Sequence, residues 1–183
     1  AADLNFSWYS AGKGTPAVKV WKDGSKSSAK VVTGNAEAIS AENWQGKSYS
    51  AANKVNIADY FEENTQYHYQ YTDNYTGDDS IWFAEYDYTT KATDKFSVIL
   101  TGDPQVGASG SSSDKSANDA SVARDAYNWN KTMQQALKTC PDASFLLSAG
   151  DQINQSGAAK DDDKKTRESE YAGYLYPSVF RSL

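Results

Sequence analysis

Two carboxylates stand where they could share a cation. Asp103 lies in Gly102-Asp103-Pro104-Gln105-Val106-Gly107, and Asp151 in Gly150-Asp151-Gln152-Ile153-Asn154. Each run directly follows an uncharged stretch, Phe96 to Thr101 and Ala143 to Ala149. Uncharged stretches of this length, bounded by glycine and without alternation, predict parallel strands covered on both faces. Between them, Asp119 to Thr139 places Val122, Ala126, Trp129, Met133 and Leu137 at helical spacing, giving one apolar stripe to lay over a sheet. Together these pieces predict a right-handed β-α-β unit. Such a unit puts Asp103 and Asp151 at one edge, beyond the carboxyl ends of their strands, where open α/β sheets bind ligands. Two carboxylates that close repel unless a proton or cation sits between them, and oxygen donors suit a hard divalent ion.

The composition narrows the partners. A chain of 183 residues with 39% hydrophobic side chains can bury a core in one large domain or two small ones. Its formal charge of −6 and the lack of any basic run argue against a nucleic-acid backbone as partner. No apolar run has the length of a membrane span, and the first residues lack the pattern of a signal peptide. A single cysteine, Cys140, rules out an internal disulfide framework and a cysteine-based zinc site, and reads as an ordinary loop thiol before Pro141.

The part preceding residue 92 has a different rhythm. Leu4 to Tyr9 alternates, Ala17 to Trp21 runs into the turn Lys22-Asp23-Gly24, and Ser28 to Thr33 adds a further strand. Ala36 to Ser50 is poorly patterned and is expected to be a loop with at most an edge strand. Lys54 to Ile57 is a strand and Ala58 to Asn64 a crossover loop. Thr65 to Thr72 alternates strictly, with Tyr67, Tyr69 and Tyr71 on one face. Asn74 to Asp79 is a turn and Ser80 to Tyr88 a closing strand. Short strands at this spacing, rich in the chain's 13 tyrosines and 5 tryptophans, predict an immunoglobulin-like or fibronectin III-like β-sandwich over residues 1–92. The only histidine, His68, falls on the face opposite those tyrosines and is expected to point to solvent. A polar linker, Thr89 to Lys95, leads to the second part, residues 93–183.

The two acidic turns, in this order across a β-α-β unit, resemble the first two motifs of the calcineurin-like metallophosphoesterases. The preceding half is similar to the N-terminal sandwich of the purple acid phosphatases through Thr65-Gln66-Tyr67-His68-Tyr69 and Ser80-Ile81-Trp82-Phe83. The resemblance implies a mostly β chain whose sandwich is followed by the opening β-α-β portion of a metallophosphoesterase α/β sandwich. It implies two divalent metal ions, of iron, manganese, zinc or a similar element, acting on a phosphorylated small molecule or polymer. Asp103 would bind the first ion and Asp151 would bridge both. Gln105 stands in place of the family's histidine. Asn154 stands in place of the tyrosine that colours purple acid phosphatases, so no charge-transfer colour is expected.

The family's later Asn-His, His and Gly-His-x-His motifs do not occur in this sequence. The expectation is therefore a fragment of a longer, secreted phosphoesterase, inactive by itself. Ser169 to Leu183 reads as a partly helical segment interrupted by Pro177, and Asp161 to Lys165 as a solvated helix start. Gly107 to Asn118 is rich in glycine and serine. It either borders a substrate cleft, with Gly107, Ser109 and Gln152 at its rim, or is only a solvated link. From a different class comes a second reading, a secreted sandwich module that binds glycan or protein through exposed aromatic rings.

Overall fold

The computed structural model describes residues 3–44, 47–77, 80–110, 115–154 and 161–181. The chain is mostly β-sheet with two helices. It divides into two compact units, one made of Ala1–Ile39 and Tyr49–Phe96, the other of Ser97–Arg181 together with Ser40–Ser48.

The first unit is a β-sandwich. One sheet holds β1 (Leu4–Ser10), β5 (Lys47–Ile57) and β4 (Asn35–Trp44) in the order β1-β5-β4. The other holds β2 (Ala17–Lys22), β3 (Lys30–Thr33), β6 (Gln66–Thr72) and β7 (Tyr86–Thr89) in the order β3-β2-β6-β7. Alternation sends Val18 and Val20 of β2 and Tyr67 and Tyr69 of β6 inward, where they meet Val55 and Ile57 of β5. Phe6 on Tyr69 at 5.1 Å and Trp8 on Tyr71 at 5.0 Å join the two sheets face to face. The crossover from β5 to β6 is closed by Phe61 and by the Tyr67 hydroxyl, which accepts the Glu62 amide at 2.9 Å.

Two expectations for this unit are corrected. The stretch from Ala36 to Ser50 is mostly strand and not mostly loop: residues 36–44 lie in β4, which is indeed an edge strand, and residues 47–50 in β5, while residues 45 and 46 lie outside the described residues. Gly34, just before β4, makes this possible, because a side chain there would overlap the Lys54 carbonyl. The closing strand is also shorter than Ser80 to Tyr88. Phe83 donates its amide to the Tyr71 carbonyl at 2.9 Å and accepts the Gln70 side-chain amide, but the ladder begins only at Tyr69↔Tyr86. Of the expected turn before it, residues 78 and 79 lie outside the described residues.

In the second unit, β8 (Ser97–Thr101) and β9 (Ala143–Ser148) pair in parallel across α1 (Lys115–Thr139), which is a β-α-β crossover. The helical stripe is real: Val122, Ala126, Trp129 and Met133 are buried and Leu137 is half-buried. Part of it faces the next helix, α2 (Asp161–Tyr174), for Trp129 stacks on Tyr174 with ring centroids 5.6 Å apart and donates its indole N–H to the Tyr174 carbonyl. Beyond the buried Pro177, a short 3-10 turn at Ser178–Arg181 brings Phe180 beside the same two rings.

The uncharged strands are not covered on both faces. Ile99 and Ala143 are buried, whereas Val98, Leu100, Phe145 and Leu147 are exposed, Leu100 at 68%. Their uniform hydrophobicity therefore reports a sheet with one face covered and an apolar face open.

Candidate functional site

The two acidic turns are stitched together by their backbones. Past the strand ends Ala149 donates its amide to the Thr101 carbonyl at 2.8 Å, Asp103 to Gly150 at 3.2 Å, Gln105 to Asp151 at 2.9 Å and Val106 to Gln152 at 3.2 Å. Asn154 then donates to Val106 at 3.1 Å, and Val106 and Ile153 form a last parallel bridge. Asp103, Gln105 and Asp151 are thus held on one continuous seam, with Asn154 at its far end. All four are exposed.

Their backbone is unusual. Asp103 has φ of 59°, Gln105 of 40° and Asp151 of 45°, the left-handed region in which a residue with a side chain costs roughly 1–2 kcal/mol. Of the five non-glycine residues in that region among the described residues, three are these candidate ligands. Strain of this kind concentrates where side chains are aimed for function. Thr101, two residues before Asp103, has a buried hydroxyl with no hydrogen-bond partner among the described residues.

The rim residues have definite places. Gly107 is buried, with φ of 107°, and a side chain on it would overlap the buried Glu170 carboxylate of α2. Its amide and that of Ser109 both donate to Asp125 Oδ2 of α1, at 3.0 and 3.1 Å. Arg124 Nη2 donates to the Ser109 carbonyl at 3.0 Å and to its hydroxyl oxygen at 2.8 Å. The start of the Gly/Ser-rich stretch is therefore fastened to a helix. Residues 111–114 lie outside the described residues, and α1 already begins at Lys115. Gln152 is half-buried and donates its side-chain amide to Ser148 Oγ. Asp125 escaped the sequence reading, because nothing local distinguishes it from any other polar residue beside a helix stripe.

Two carboxylates and two side-chain amides are hard oxygen donors, suited to ions of the magnesium or manganese kind. They fit part of such a centre only: among the described residues no three His, Cys, Asp or Glu side chains converge on a common point.

His68 is elsewhere, and its expected solvent-facing role is corrected. It does lie on the face opposite the tyrosines, but only 15% of its side chain is exposed. Nε2 is 2.8 Å from Asp23 Oδ1, Nδ1 is 2.7 Å from Asp87 Oδ1 and 3.5 Å from Glu85, and the ring stacks on Trp21. The hydrogen bond to Asp23 first, and then Asp87, hold its pKa above the ordinary histidine value, although burial opposes them. Cys140 lies 3.5 Å from Asp142, and burial, with that carboxylate beside it, pushes the thiol up, away from a reactive thiolate.

No protein-family model matches the sequence, and no curated protein matches it. Among solved structures, the chain is similar in fold to a purple acid phosphatase from yellow lupin (Lupinus luteus) seeds, with a TM-score of 0.58 and 15% sequence identity. The likeness covers 94% of this chain and 31% of the lupin protein, so the chain spans about a third of that protein's length. At this identity the likeness is one of fold.

Proposed function

We propose that the second unit carries one part of a two-metal phosphoesterase centre, within the sandwich and opening β-α-β portion of an extracellular enzyme acting on phosphate mono- or diesters. The observation that carries this reading is the left-handed, backbone-stitched seam that gathers Asp103, Gln105 and Asp151 beyond two parallel strands, in a chain whose fold is similar to a purple acid phosphatase. In this reading Asp151 and Asp103 would supply the charged oxygen donors to the ions, with the Gln105 and Asn154 amide oxygens as neutral ones. When bound, such ions lower the pKa of a water and stabilise charge on a phosphoryl group.

Four oxygen donors leave two coordination spheres unfilled. The chain by itself is therefore expected to bind divalent ions without turning over a phosphate ester. The test is titration of the chain with Mn²⁺, followed by calorimetry and by paramagnetic broadening of backbone signals. Broadening centred on Asp103 and Asp151, with affinity lost about tenfold or more in Asp151→Ala, supports the reading. Absence of binding, or binding indifferent to Asp151→Ala, sinks it.

The glycan-binding reading gains little from the three sandwich tryptophans whose side chains are described. Trp21 is buried against His68, Trp8 leans on Tyr71 and is bonded to Asp73, and Trp82 has Lys19 over its ring at 4.3 Å. Sugar stacking needs a free ring face.

A further inference from the structure

We infer that Asp125 is a positioning residue, holding the turn that presents Asp103 and Gln105 to a metal ion; this deepens, and rests on, the two-metal reading. The left-handed conformations of Asp103 and Gln105 are unfavourable on their own, so the turn keeps them only if both of its ends are fixed. Upstream, β8 does this through its pairing with β9. Downstream the pairing ends at the single Val106–Ile153 bridge, and past it the chain is caught by the helices. Asp125, half-buried on α1 directly before the buried Ala126, receives two backbone amides on one oxygen, from Gly107 and Ser109.

Bonds from backbone N–H groups to an ionised carboxylate are roughly twice as strong as neutral ones. Arg124 adds its two bonds to Ser109, and the Glu170 carboxylate fills the space where Gly107 lacks a side chain. Gly107 is thereby gripped from α1 and α2 at once, two residues after Gln105. Oδ2 of Asp125 is engaged by these two amides, and the role inferred for the residue is to hold the turn. Its effect reaches the metal through the backbone, as outer residues do when they fix the direction of the ligands.

The experiment compares the intact chain with Asp125→Ala and Asp125→Asn by Mn²⁺ titration and by amide hydrogen exchange. The inference expects Mn²⁺ affinity to fall about tenfold or more in Asp125→Ala and less in Asp125→Asn, which keeps one acceptor oxygen. It also expects faster exchange at Gly107 and Ser109, while the amides of β8 and β9 keep their protection. If Asp125→Ala fails to fold, Asp125→Asn decides alone. Unchanged Mn²⁺ affinity in the folded variants, with or without faster exchange, overturns the positioning role and leaves the metal reading standing. An unsubstituted chain that binds no Mn²⁺ overturns both.

Discussion

The two units solve the burial problem differently. The sandwich closes on itself: both sheets send alternate residues into one core, and Val18, Val20, Ile57 and Tyr67 are all but excluded from solvent. The parallel unit buries Ile99 and Ala143 on one side of its two strands and leaves Val98, Leu100, Phe145 and Leu147 in the open on the other. The lesson concerns where chemistry is placed. The sandwich pairs Lys22 with Glu62, Lys26 with Glu85 and His68 with Asp23 and Asp87, while the unit with the open face carries the left-handed acidic seam.

That contrast can be broken at several points. The largest effect belongs to Tyr67→Ala, which removes a ring touching Tyr60 and Phe61 and the acceptor of the Glu62 amide; urea denaturation should show a loss of about 3–5 kcal/mol. A loss under about 1 kcal/mol would mean that the sandwich core is not the tightly closed body described above.

A smaller effect concerns pH. Because the folded His68 pKa is raised, its contribution to stability is complete below the ordinary histidine value of about 6.5 and fades as pH rises through the folded value. The unfolding free energy of the sandwich, read from urea denaturation, should fall across that window by about 1 kcal/mol or less, and His68→Gln should flatten the slope. A slope that survives in His68→Gln would assign the pH dependence to another group.

The smallest effect sharpens the comparison within one strand. Leu100→Ala should change stability by within about 0.5 kcal/mol, whereas its neighbour Ile99→Ala should cost about 2–5 kcal/mol. Equal losses at the two positions would mean that the outer face of β8 is covered in solution.

Sequence reading reached the β-α-β unit because uncharged runs ended by Gly-Asp are strong local signals, and the stripe from Val122 to Met133 has a clear helical period. The tyrosine face of β6 was equally plain, since strict alternation leaves one core face. The β4–β5 pair was hidden: Ala36, Ala38, Ser50, Ala51 and Ala52 have low strand preference, and pairing within the sheet, with β1 for Ala51 and Ala52, decides their conformation. At Ser80 to Tyr88 the error ran the other way, since aromatic residues favour strands but only Tyr86 onward finds a ladder partner in β6. The acidic residues of the seam were visible from spacing. The grip of Asp125 and Glu170 on Gly107 was not, because it depends on contacts between residues far apart in sequence.

The register of the first strand has a consequence for synthesis. Leu4 pairs with Ile57 and Ser10 with Ala51, so β1 has no partner when it is made. At the usual pace of translation, roughly fifty further residues take on the order of seconds, and for that time Leu4, Phe6 and Trp8 have no β5 to pair with. The order of folding is thereby constrained: β5 must be in place before β1 can dock.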